Sequence, residues 1–512
     1  MEEKNANIAI APAKNYIPKK EFWMFSVGAL GQGMIYAIMS SYISDFYINV
    51  LQVPIIFVLF LMLFARVWDA INDPMMGFII DKYTTRWGKM KPYIIFTAIP
   101  IGVLTFFMFY APSGLTINQK MLYAGFIYVI WGMVYTVSDV PFWSLPNVMT
   151  PNPEERGRTI SIGRTLNGIG TAVPIFMFFV LGFIVPKISS KTGIEVDKQI
   201  YMIMASVSVI IGISLFVSSY FFVKERVIVV PKVSKCKDGP SPLKRIFTCK
   251  PLMLIVLMGV LSSGRYMMQA AAVHVARYAF YIGPSLNGLD QVAREVAIKG
   301  SVSTVSTLFT VSSAIGMFGA MLFMPKLYKK FNYKRIVIVS CLGGFVASIF
   351  TTIIGACSIF TSASFLVYVC IPFIIIQCIP LGVLNITSYA MIGDSLDYLE
   401  LKSGHRDNAL GSACQSFVNK LDNALATTFV VLMYLIINLE PSQVLNSDVV
   451  MAATDLALNK RFAMFSLVSI VPGLSLLLCS IPIFWYDLVG DKKDKITADL
   501  EKMRKDEGMT IE

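Results

Sequence analysis

Charged residues are scarce in this sequence. Only 15% of its 512 residues are Asp, Glu, Lys or Arg, whereas 55% are hydrophobic, and the mean hydropathy is +0.65. A composition this apolar excludes a soluble domain of this length. Stretches of about 20 apolar residues are long enough to cross a bilayer. We identify twelve of them, at 22–48, 54–80, 92–111, 121–149, 160–186, 200–223, 251–283, 302–325, 335–356, 364–393, 408–438 and 461–486. They are predicted to be helices, because lipid offers no water to backbone N–H and C=O groups.

Histidine and paired cysteine are also scarce. The chain has two histidines and eight cysteines, and the cysteines are scattered singly without a C-x-x-C motif. This spacing excludes a disulfide framework and a cysteine-based metal site. The predicted spans also lack a nucleophile–base pair, an H-E-x-x-H motif and a cluster of metal ligands. We therefore expect a protein that is not an enzyme and that uses no cofactor.

Basic residues outnumber acidic ones, and the formal net charge is +12. In the predicted topology, most lysines and arginines fall in loops and tails on the side of both termini. The positive-inside rule places that side in the cytoplasm. The basic excess therefore predicts the orientation of a multi-pass protein in its partner, the lipid bilayer, with both termini cytoplasmic. Because this distribution accounts for the positive charge, it argues against nucleic-acid binding.

The longest connection on the cytoplasmic side, residues 224–250, is rich in proline and lysine, as a linker is. It divides the chain into a cytoplasmic tail at 1–21, a six-helix bundle at 22–223, the central cytoplasmic loop, a second six-helix bundle at 251–486, and a cytoplasmic tail at 487–512. Two halves with loops in matching positions are a common plan of transporters. We therefore predict an all-α integral membrane fold of two pseudo-symmetric halves.

Span two carries four polar side chains in an apolar setting: Arg66, Asp69, Asn72 and Asp73. On a helix, Asp69 and Asp73 share one face at a separation of about 6 Å. Each charge at mid-bilayer costs at least about 2.5 kcal/mol. Arg66 neutralises one carboxylate, and the second then needs a proton or a cation. Oxygen ligands suit a hard cation. The pattern predicts a site for Na⁺, Li⁺ or H⁺ at the two acids and Asn72; a purely structural ion pair is the alternative.

Span four reads "YTVSDVPFWSL". Asp139 follows Tyr135 and Thr136 by one turn, and Trp143 follows by one more turn on the same face. A carboxylate accepts paired hydrogen bonds from sugar hydroxyls, and an indole stacks on the apolar face of a pyranose. We predict that this face binds a sugar; plain packing of Trp143 is the alternative.

Spans five and eleven each add a basic side chain inside the membrane. Arg164 lies one or two turns into span five, where it pairs with Asp139 or gates the cytoplasmic side of a cavity; a snorkelling side chain is the alternative. Lys420 lies deep in span eleven and is a natural partner for the acids of spans two and four. Gln415 and Ser416 lie one turn before it and are predicted to be polar neighbours at the substrate site.

Four further polar residues lie in spans seven and ten. Asp394 and Asp397 are near the cytoplasmic end of span ten, where they are predicted to form a gate or to be solvated structural residues. Arg265 and His274 lie in span seven without a local partner, and the sequence assigns them no role.

Five motifs resemble those of the glycoside–pentoside–hexuronide:cation symporters, a family of the major facilitator superfamily. They are "RVWDAINDPMMG" (66–77), "RWGKMKPY" (86–93), "YTVSDVPFWSL" (135–145), "SIGR" (161–164) and "DSLDYLELK" (394–402). Their order and spacing agree across nearly the whole chain. The resemblance implies a monomeric plasma-membrane carrier that takes up a sugar with a cation by alternating access.

The resemblance also implies residue roles. In that family the acids that match Asp69 and Asp73 ligate the coupling cation, and Thr136 matches a residue that assists them. Asp139 matches a position beside the cation site that also holds the sugar, and Trp143 and Arg164 match sugar-binding positions. Lys420 matches a lysine near the cation site.

Two departures from the best-known member, the melibiose permease, affect the sugar side. That protein has an acid in span one where this chain has Gly33, preceded by Gln32. It has a tryptophan in span ten where this chain has Asn385. The comparison therefore predicts a glycoside, pentoside or short oligosaccharide other than melibiose, with Gln32 and Asn385 among the substrate-binding residues. The alternative is a cation-coupled carrier of a lysolipid or another amphiphile.

Overall fold

A computed structural model of the chain describes residues 16–506 except 83–84, 86, 151–152, 190, 192, 227–247, 329, 404–407 and 440–451. The described residues fold into sixteen α-helices with three short turns of 3₁₀ or π type. They form no strand, and the single isolated bridge joins Thr85 and Gly88. The all-helical fold class is thus confirmed, as expected for backbone groups that lipid does not solvate.

Helices occupy each of the predicted spans. The predicted N-terminal half contains α1 (Lys19–Asp45), a π-helical turn (Phe46–Val50), α2 (Ile55–Lys82), α3 (Lys91–Met108), α4 (Ile117–Met149), α5 (Pro153–Ile188) and α6 (Ile194–Phe222). The predicted C-terminal half contains α7 (Lys250–Leu261), a 3₁₀ turn (Ser263–Tyr266), α8 (Met267–Tyr278), α9 (Gln291–Tyr328), α10 (Tyr333–Thr361), α11 (Leu366–Gln377), α12 (Ile379–Ser403), α13 (Asn408–Ile436), α14 (Leu458–Ser466) and α15 (Ile470–Phe484). The helix α16 (Asp491–Asp506) follows them.

Length and hydropathy identify fewer membrane crossings than the sequence analysis predicts. Within the described residues, nine helical segments are long and apolar enough to cross a membrane, and α7 with α8, bent by 42°, makes a tenth. The apolar stretch of α2 ends at Ala65, directly before Arg66, because the charged residues follow there. The total of twelve stays a prediction.

Glycines set the rotation of α1. This helix packs along α5 and α6. A Cβ atom on Gly33 would lie 2.1 Å from the carbonyl oxygen of Asn167, and one on Gly170 would lie 2.1 Å from that of Leu30. The backbones of α1 and α5 therefore approach as closely as they do only because these positions carry no side chain. Gly33 faces α5, which leaves its neighbours to face the interior.

The most extensive contacts between the two predicted halves, among the described residues, are those of α5 with α9, α2 with α13, and α1 with α8. At one end of the bundle, a single hydrophobic core contains residues of both halves, such as Phe46 and Val275. At the other end the cores are separate, one around Phe142 and one around Val337. We call the first end the distal end. The second, where residues 16–17 and α16 lie, is the terminal end.

The start of the described chain is fastened at the terminal end. Glu155 accepts hydrogen bonds from the backbone N–H of Tyr16 (3.1 Å) and Ile17 (2.8 Å) and from the hydroxyl of Thr150 (2.6 Å). Desolvation alone would raise the pKa of Glu155, but these donors and the charge of Arg226 hold that pKa below its usual range.

Candidate functional site

A cavity of about 800 Å³ lies between the two halves and extends toward the terminal end. Its walls come from α1, α2, α4 and α5 on one side and from the 3₁₀ turn, α12 and α13 on the other. Exposed residues near the terminal end, Arg164 and Gly393, belong to its lining. Of the residues predicted from the sequence, the cavity brings together eight: Gln32, Asp69, Tyr135, Thr136, Asp139, Trp143, Arg164 and Lys420.

The acid of α2 lies beside the polar face of α4. A Cβ atom on Gly132 would be 4.0 Å from Oδ1 of Asp69, and Thr136 follows Gly132 by one turn on the same face. Asn72 is 2% exposed, and its Nδ2 has no hydrogen-bond partner among the described residues. Asp69 and Thr136 thus both line the cavity, whereas Asn72 is buried and is not part of the lining. The side chains of Arg66 and Asp73 lie outside the described residues.

Asp139 is oriented by α1. The Nε2 atom of Gln32 donates a hydrogen bond of 2.7 Å to Oδ1 of Asp139. The other amide atom, Oε1 of Gln32, is buried without a partner in the described part of the chain. Gln32 therefore lies on the cavity, whereas the adjacent Gly33 contacts the α5 backbone. A side chain at position 33 would clash with α5, so the polar group that α1 presents to the cavity comes from position 32.

An aromatic wall continues from Asp139 toward the terminal end. The guanidinium carbon of Arg164 lies 3.6 Å from the centroid of the Trp143 ring, the distance of a cation–π contact. Phe25 and Phe142 contact the same indole edge-on, at centroid distances of 6.2 and 5.3 Å. One face of Trp143 is therefore covered by Arg164 in this conformation.

Tyr135 is held by a second aromatic pair. Its ring stacks on Trp131 at 4.8 Å with an interplanar angle of 10°, and Nε1 of Trp131 donates to the hydroxyl of Thr105 at 2.7 Å. Tyr36 of α1 contacts Tyr135 at 5.6 Å. These contacts fix a rigid aromatic floor next to Thr136.

The predicted C-terminal half contributes Lys420, Asn423 and Tyr266 to the cavity. The hydroxyl of Tyr266 donates to Oδ1 of Asn385 at 3.0 Å. Asn385 is not part of the lining; it orients Tyr266 from behind. The sequence analysis did not consider Tyr266 or Asn423. The side chains of Gln415 and Ser416 lie outside the described residues.

The two acids of span ten are not among the residues that line the cavity. Asp394 forms an ion pair with Lys493 of α16, with 2.7 Å between Oδ2 and Nζ. Burial alone would lower the pKa of Lys493, but the Asp394 carboxylate raises that pKa above its usual value. Asp394 is thus bound within its own half, and it makes no ion pair with the N-terminal half among the described residues. Asp397 follows by one turn and is half-buried.

The largest polar cluster among the described residues was missed by the sequence analysis. It closes the distal end, and we call it the distal network: Ser44, Asp45, Asn49, Asp197, Tyr201, His274, Arg277, Tyr278, Glu295, Lys299 and Tyr434. Its residues come from α1, the π-helical turn and α6 on one side and from α8, α9 and α13 on the other. It therefore joins the two predicted halves at the end opposite to the opening of the cavity.

Arg277 is the centre of the distal network. Its Nη2 atom lies 2.9 Å from Oδ2 of Asp45, and its Nη1 atom lies 3.3 Å from Oδ2 of Asp197. Lys299 lies 2.7 Å from the second oxygen of Asp197 and 3.4 Å from Glu295. The side chain of Asp45 is completely buried. A buried carboxylate persists when several donors surround it, and here they do.

His274, which had no assigned role, belongs to the same cluster. Its Nε2 atom lies 3.0 Å from the hydroxyl of Ser44, and its Nδ1 atom lies 2.6 Å from the hydroxyl of Tyr434. Asn49 donates to Asp45 at 2.7 Å. The sequence did carry one indication of this cluster, since Asp45 and Arg277 are intramembrane charges of opposite sign near the same ends of spans one and seven.

The comparison with protein families decides the identity. A family model described as "MFS/sugar transport protein" matches residues 24–287 and 292–489. The chain belongs to this family. It is a glycoside–pentoside–hexuronide-type symporter of the major facilitator superfamily, and so it is a transporter and not an enzyme. The resemblance drawn from the motifs is confirmed, and the protein is a multi-pass membrane protein.

Curated relatives of this transporter are symporters and carriers. The uncharacterized symporter YjmB of Bacillus subtilis is 28% identical over 80% of this chain and 81% of its own length. The lactose permease of Lactobacillus delbrueckii subsp. bulgaricus is 26% identical over 80% of this chain and 62% of its own length. The glucuronide carrier protein homolog of Escherichia coli is 21% identical over 94% of this chain and 95% of its own length.

Solved structures support the fold. A D-xylose–proton symporter superposes with a TM-score of 0.57 at 13% identity, covering 92% of this chain and 98% of that one. The inward-open xylose transporter XylE of E. coli superposes with a TM-score of 0.56 at 12% identity, covering 93% and 98%. At such low identity, these matches establish the major facilitator fold alone.

Proposed function

We propose that this symporter moves a sugar or glycoside together with Na⁺, Li⁺ or H⁺ across the plasma membrane by alternating access. One observation carries the proposal: a cavity between the halves, lined by acids, a tryptophan and an arginine, is open toward one end and sealed at the other. A carrier needs a site that both halves form, so that rocking one half against the other exposes it to each side in turn.

In this proposal the described conformation faces the cytoplasm. The positive-inside rule predicts that both termini are cytoplasmic, and the cavity extends toward the terminal end. The distal network then closes the extracellular side. To face outward, the carrier separates Arg277 from Asp45 and Asp197 and closes the terminal end around the sugar.

The cation site consists of Asp69 and Asp73, with Thr136, Asn72 and Asp139 contributing oxygen atoms. Two carboxylates on one helix face repel each other, and a bound Na⁺, Li⁺ or H⁺ removes that repulsion. The proximity of Asp69 to Gly132 and Thr136 supports this arrangement. Lys420, on the opposite wall, balances the charge when the cation is absent, and Arg66 pairs with one of the acids.

The sugar site consists of Asp139, Gln32, Trp143 and Arg164. Asp139 accepts hydroxyl hydrogen bonds, and the unpartnered Oε1 of Gln32 is a further acceptor. Arg164 covers one face of Trp143, so a sugar ring that stacks on this indole face displaces the guanidinium, which then donates to hydroxyl oxygens at the ring edge. Tyr135 and Tyr266 complete the walls, and Asn385 acts by orienting Tyr266.

The binding of the cation and the binding of the sugar are coupled because Asp139 adjoins both the cation site and the sugar site. Cation binding fixes the α2–α4 face, and the sugar binds that face more tightly once it is ordered. By thermodynamic reciprocity, the sugar then raises the affinity for the cation by the same factor. The charge of Asp139 is the shared element of both sites.

A thermal-shift screen of purified protein tests the proposal. Glycosides, pentosides and short oligosaccharides are tested with and without Na⁺, and at two pH values. We expect at least one sugar to stabilise the protein more strongly when the cation is present, because ligands that bind only the native state raise its stability. Asp69→Asn should lose this cation dependence, whereas Asp455→Asn, at an exposed pair with Arg294, should keep it. If no sugar stabilises the protein under any condition, sugar transport is wrong.

A lysolipid or another amphiphile is the alternative cargo. The polar groups of Gln32, Arg164 and Asp139 on the cavity favour a hydroxylated substrate instead, because an acyl chain gains nothing from amide, guanidinium and carboxylate groups. Stabilisation by lysolipids but not by sugars, in the same screen, would establish the alternative.

A further inference from the structure

A second buried ion pair lies behind the cavity wall. Nη2 of Arg265 donates to Oδ2 of Asp422 at 2.8 Å, and the two side chains are 2% and 0% exposed. Arg265 belongs to the 3₁₀ turn at the 42° bend between α7 and α8, and Asp422 belongs to α13. Their sequence neighbours line the cavity: Tyr266, Lys420 and Asn423. The pair is therefore one layer removed from the cavity.

This pair has too few hydrogen bonds for two buried charges. Oδ1 of Asp422 and both Nε and Nη1 of Arg265 have no partner among the described residues. Asp45 in the distal network differs, because Arg277 and Asn49 donate to it, as does a tyrosine hydroxyl. Several donors stabilise the carboxylate of Asp45 as an anion, whereas the carboxylate of Asp422 has the Arg265 guanidinium as its one donor among the described residues.

We propose that Asp422 is a proton-binding site of this carrier, separate from the Asp69 region, and that its protonation releases the bend of span seven. A hydronium ion from the cavity transfers its proton to Oδ1 of Asp422, which forms an O–H bond and leaves water. The carboxylate loses its charge, and Arg265 keeps its own. The ion pair that ties the bend to α13 is thereby replaced by a contact between a guanidinium cation and a neutral carboxylic acid, and Arg265 is left without a counter-charge.

Neither the 3₁₀ turn nor α15 carries a carboxylate that competes with Asp422. The 3₁₀ turn presents Arg265, whose guanidinium lies 4.9 Å from the Tyr266 ring centroid. The helix α15 presents Cys479, whose sulfur is 3.5 Å from that of Cys341 in α10. On α13 itself, Lys420 lies two positions away. These groups are cations, phenols or thiols. The helix α2 also packs against α13 and carries Asp69 on the cavity wall, so Asp422→Asn, which leaves Asp69 in place, separates the two acids.

Span seven, which contains both the 3₁₀ turn and α8, and α13 also contribute to the distal network. The helix α8 carries His274 and Arg277, and α13 carries Tyr434, which bonds to His274. A bend that is no longer tied to α13 lets the outer part of span seven move away from α1. Proton binding at Asp422 therefore favours opening of the distal end, and opening in turn raises the proton affinity.

Hydrogen–deuterium exchange of the full chain in lipid nanodiscs tests the coupling, with labelling times scaled to cancel the intrinsic pH dependence of exchange. We expect exchange of α8 (Met267–Tyr278) to rise at least about fivefold between mildly alkaline and mildly acidic pH. Asp422→Asn should show the fast exchange at every pH. Asp455→Asn, which removes the exposed ion pair with Arg294, should respond as the parent does. An unaltered pH response in Asp422→Asn overturns the proposal.

Infrared difference spectroscopy between the two pH values tests the site itself. We expect a carboxylic C=O band that appears on acidification, that is absent in Asp422→Asn and that is shifted in Asp422→Glu. If Asp422→Asn does not fold, Asp422→Glu decides, because an unchanged band and an unchanged exchange midpoint overturn the proposal. Neither readout needs a sugar or a coupling cation, so failure here leaves the proposed function intact, and failure of the sugar screen leaves this proposal intact.

Discussion

The most informative single perturbation is Arg277→Gln, which removes the central charge of the distal network. Arg277 lies 2.9 Å from Asp45 and 3.3 Å from Asp197, and Asp45 is fully buried. The substitution leaves Asp45 as a buried carboxylate without its main counter-charge. In the proposed outward-open state we expect water to reach Asp45, so the loss of stability falls on the closed state.

The magnitude follows from the burial of this pair. Removing one partner of a buried ion pair costs about 3–5 kcal/mol. About 1.4 kcal/mol changes an equilibrium constant tenfold. The equilibrium constant that favours the closed over the open distal end should therefore fall by roughly a hundredfold to a few thousandfold. A carrier whose two states differ by a few kcal/mol then changes its main conformation.

Labelling of a distal cysteine measures this shift. In a background without the eight native cysteines, Ser44→Cys places a thiol at a position that is 2% exposed in the closed state. A membrane-impermeant maleimide should label it much faster when Arg277→Gln is added. Arg294→Gln, which removes an exposed pair worth about 0–1 kcal/mol, is the control and should have little effect. If Arg277→Gln folds and its thiol stays as protected as in the parent, the distal network does not hold the closed state.

Three further predictions follow from contacts outside the distal network. Gly33→Ala should lower the melting temperature, because its Cβ would overlap the α5 backbone and overpacking costs about 1–3 kcal/mol; Gly319→Ala, with open space around it, should not, and equal melting temperatures would contradict this packing. The folded-state pKa of Glu155 is lowered, so its stabilising effect is complete above its unfolded-state pKa of about 4.3 and is lost as the pH falls through the folded pKa. The melting temperature of Glu155→Gln should therefore lie below that of the parent at neutral pH and converge with it in acid, and a constant difference would contradict the assignment. Lys493→Gln should increase hydrogen exchange of α16, as should Asp394→Asn, because each breaks the same ion pair; an unchanged rate in both means that the pair does not hold the helix.

Features that depend on local sequence were predictable. Length and hydropathy placed helices where the structure has them, because a backbone in lipid has no other way to satisfy its hydrogen bonds. Helical spacing placed Thr136, Asp139 and Trp143 on one face, and the structure has all three on the cavity. The motifs indicated the family, which the family model confirms.

Features that depend on the rotation and pairing of distant helices were not predictable. Asp45 and Arg277 are 232 positions apart, and an apolar helix gives no periodic pattern that shows which face a charge occupies. On α1, Gln32 faces the cavity, whereas the next residue, Gly33, faces α5. Only the packing of the helices fixes the rotation of α1 that separates these two environments. The same limit left Arg265 without its partner Asp422.

Gradient-driven uptake into proteoliposomes tests the central claim most directly, using a sugar found in the thermal-shift screen. The account predicts that an imposed cation gradient drives the parent to accumulate the sugar above its external concentration. It predicts that Asp69→Asn still exchanges sugar across the membrane but does not accumulate it, because the cavity remains while the cation site is lost. Full cation-driven accumulation by Asp69→Asn would contradict the account.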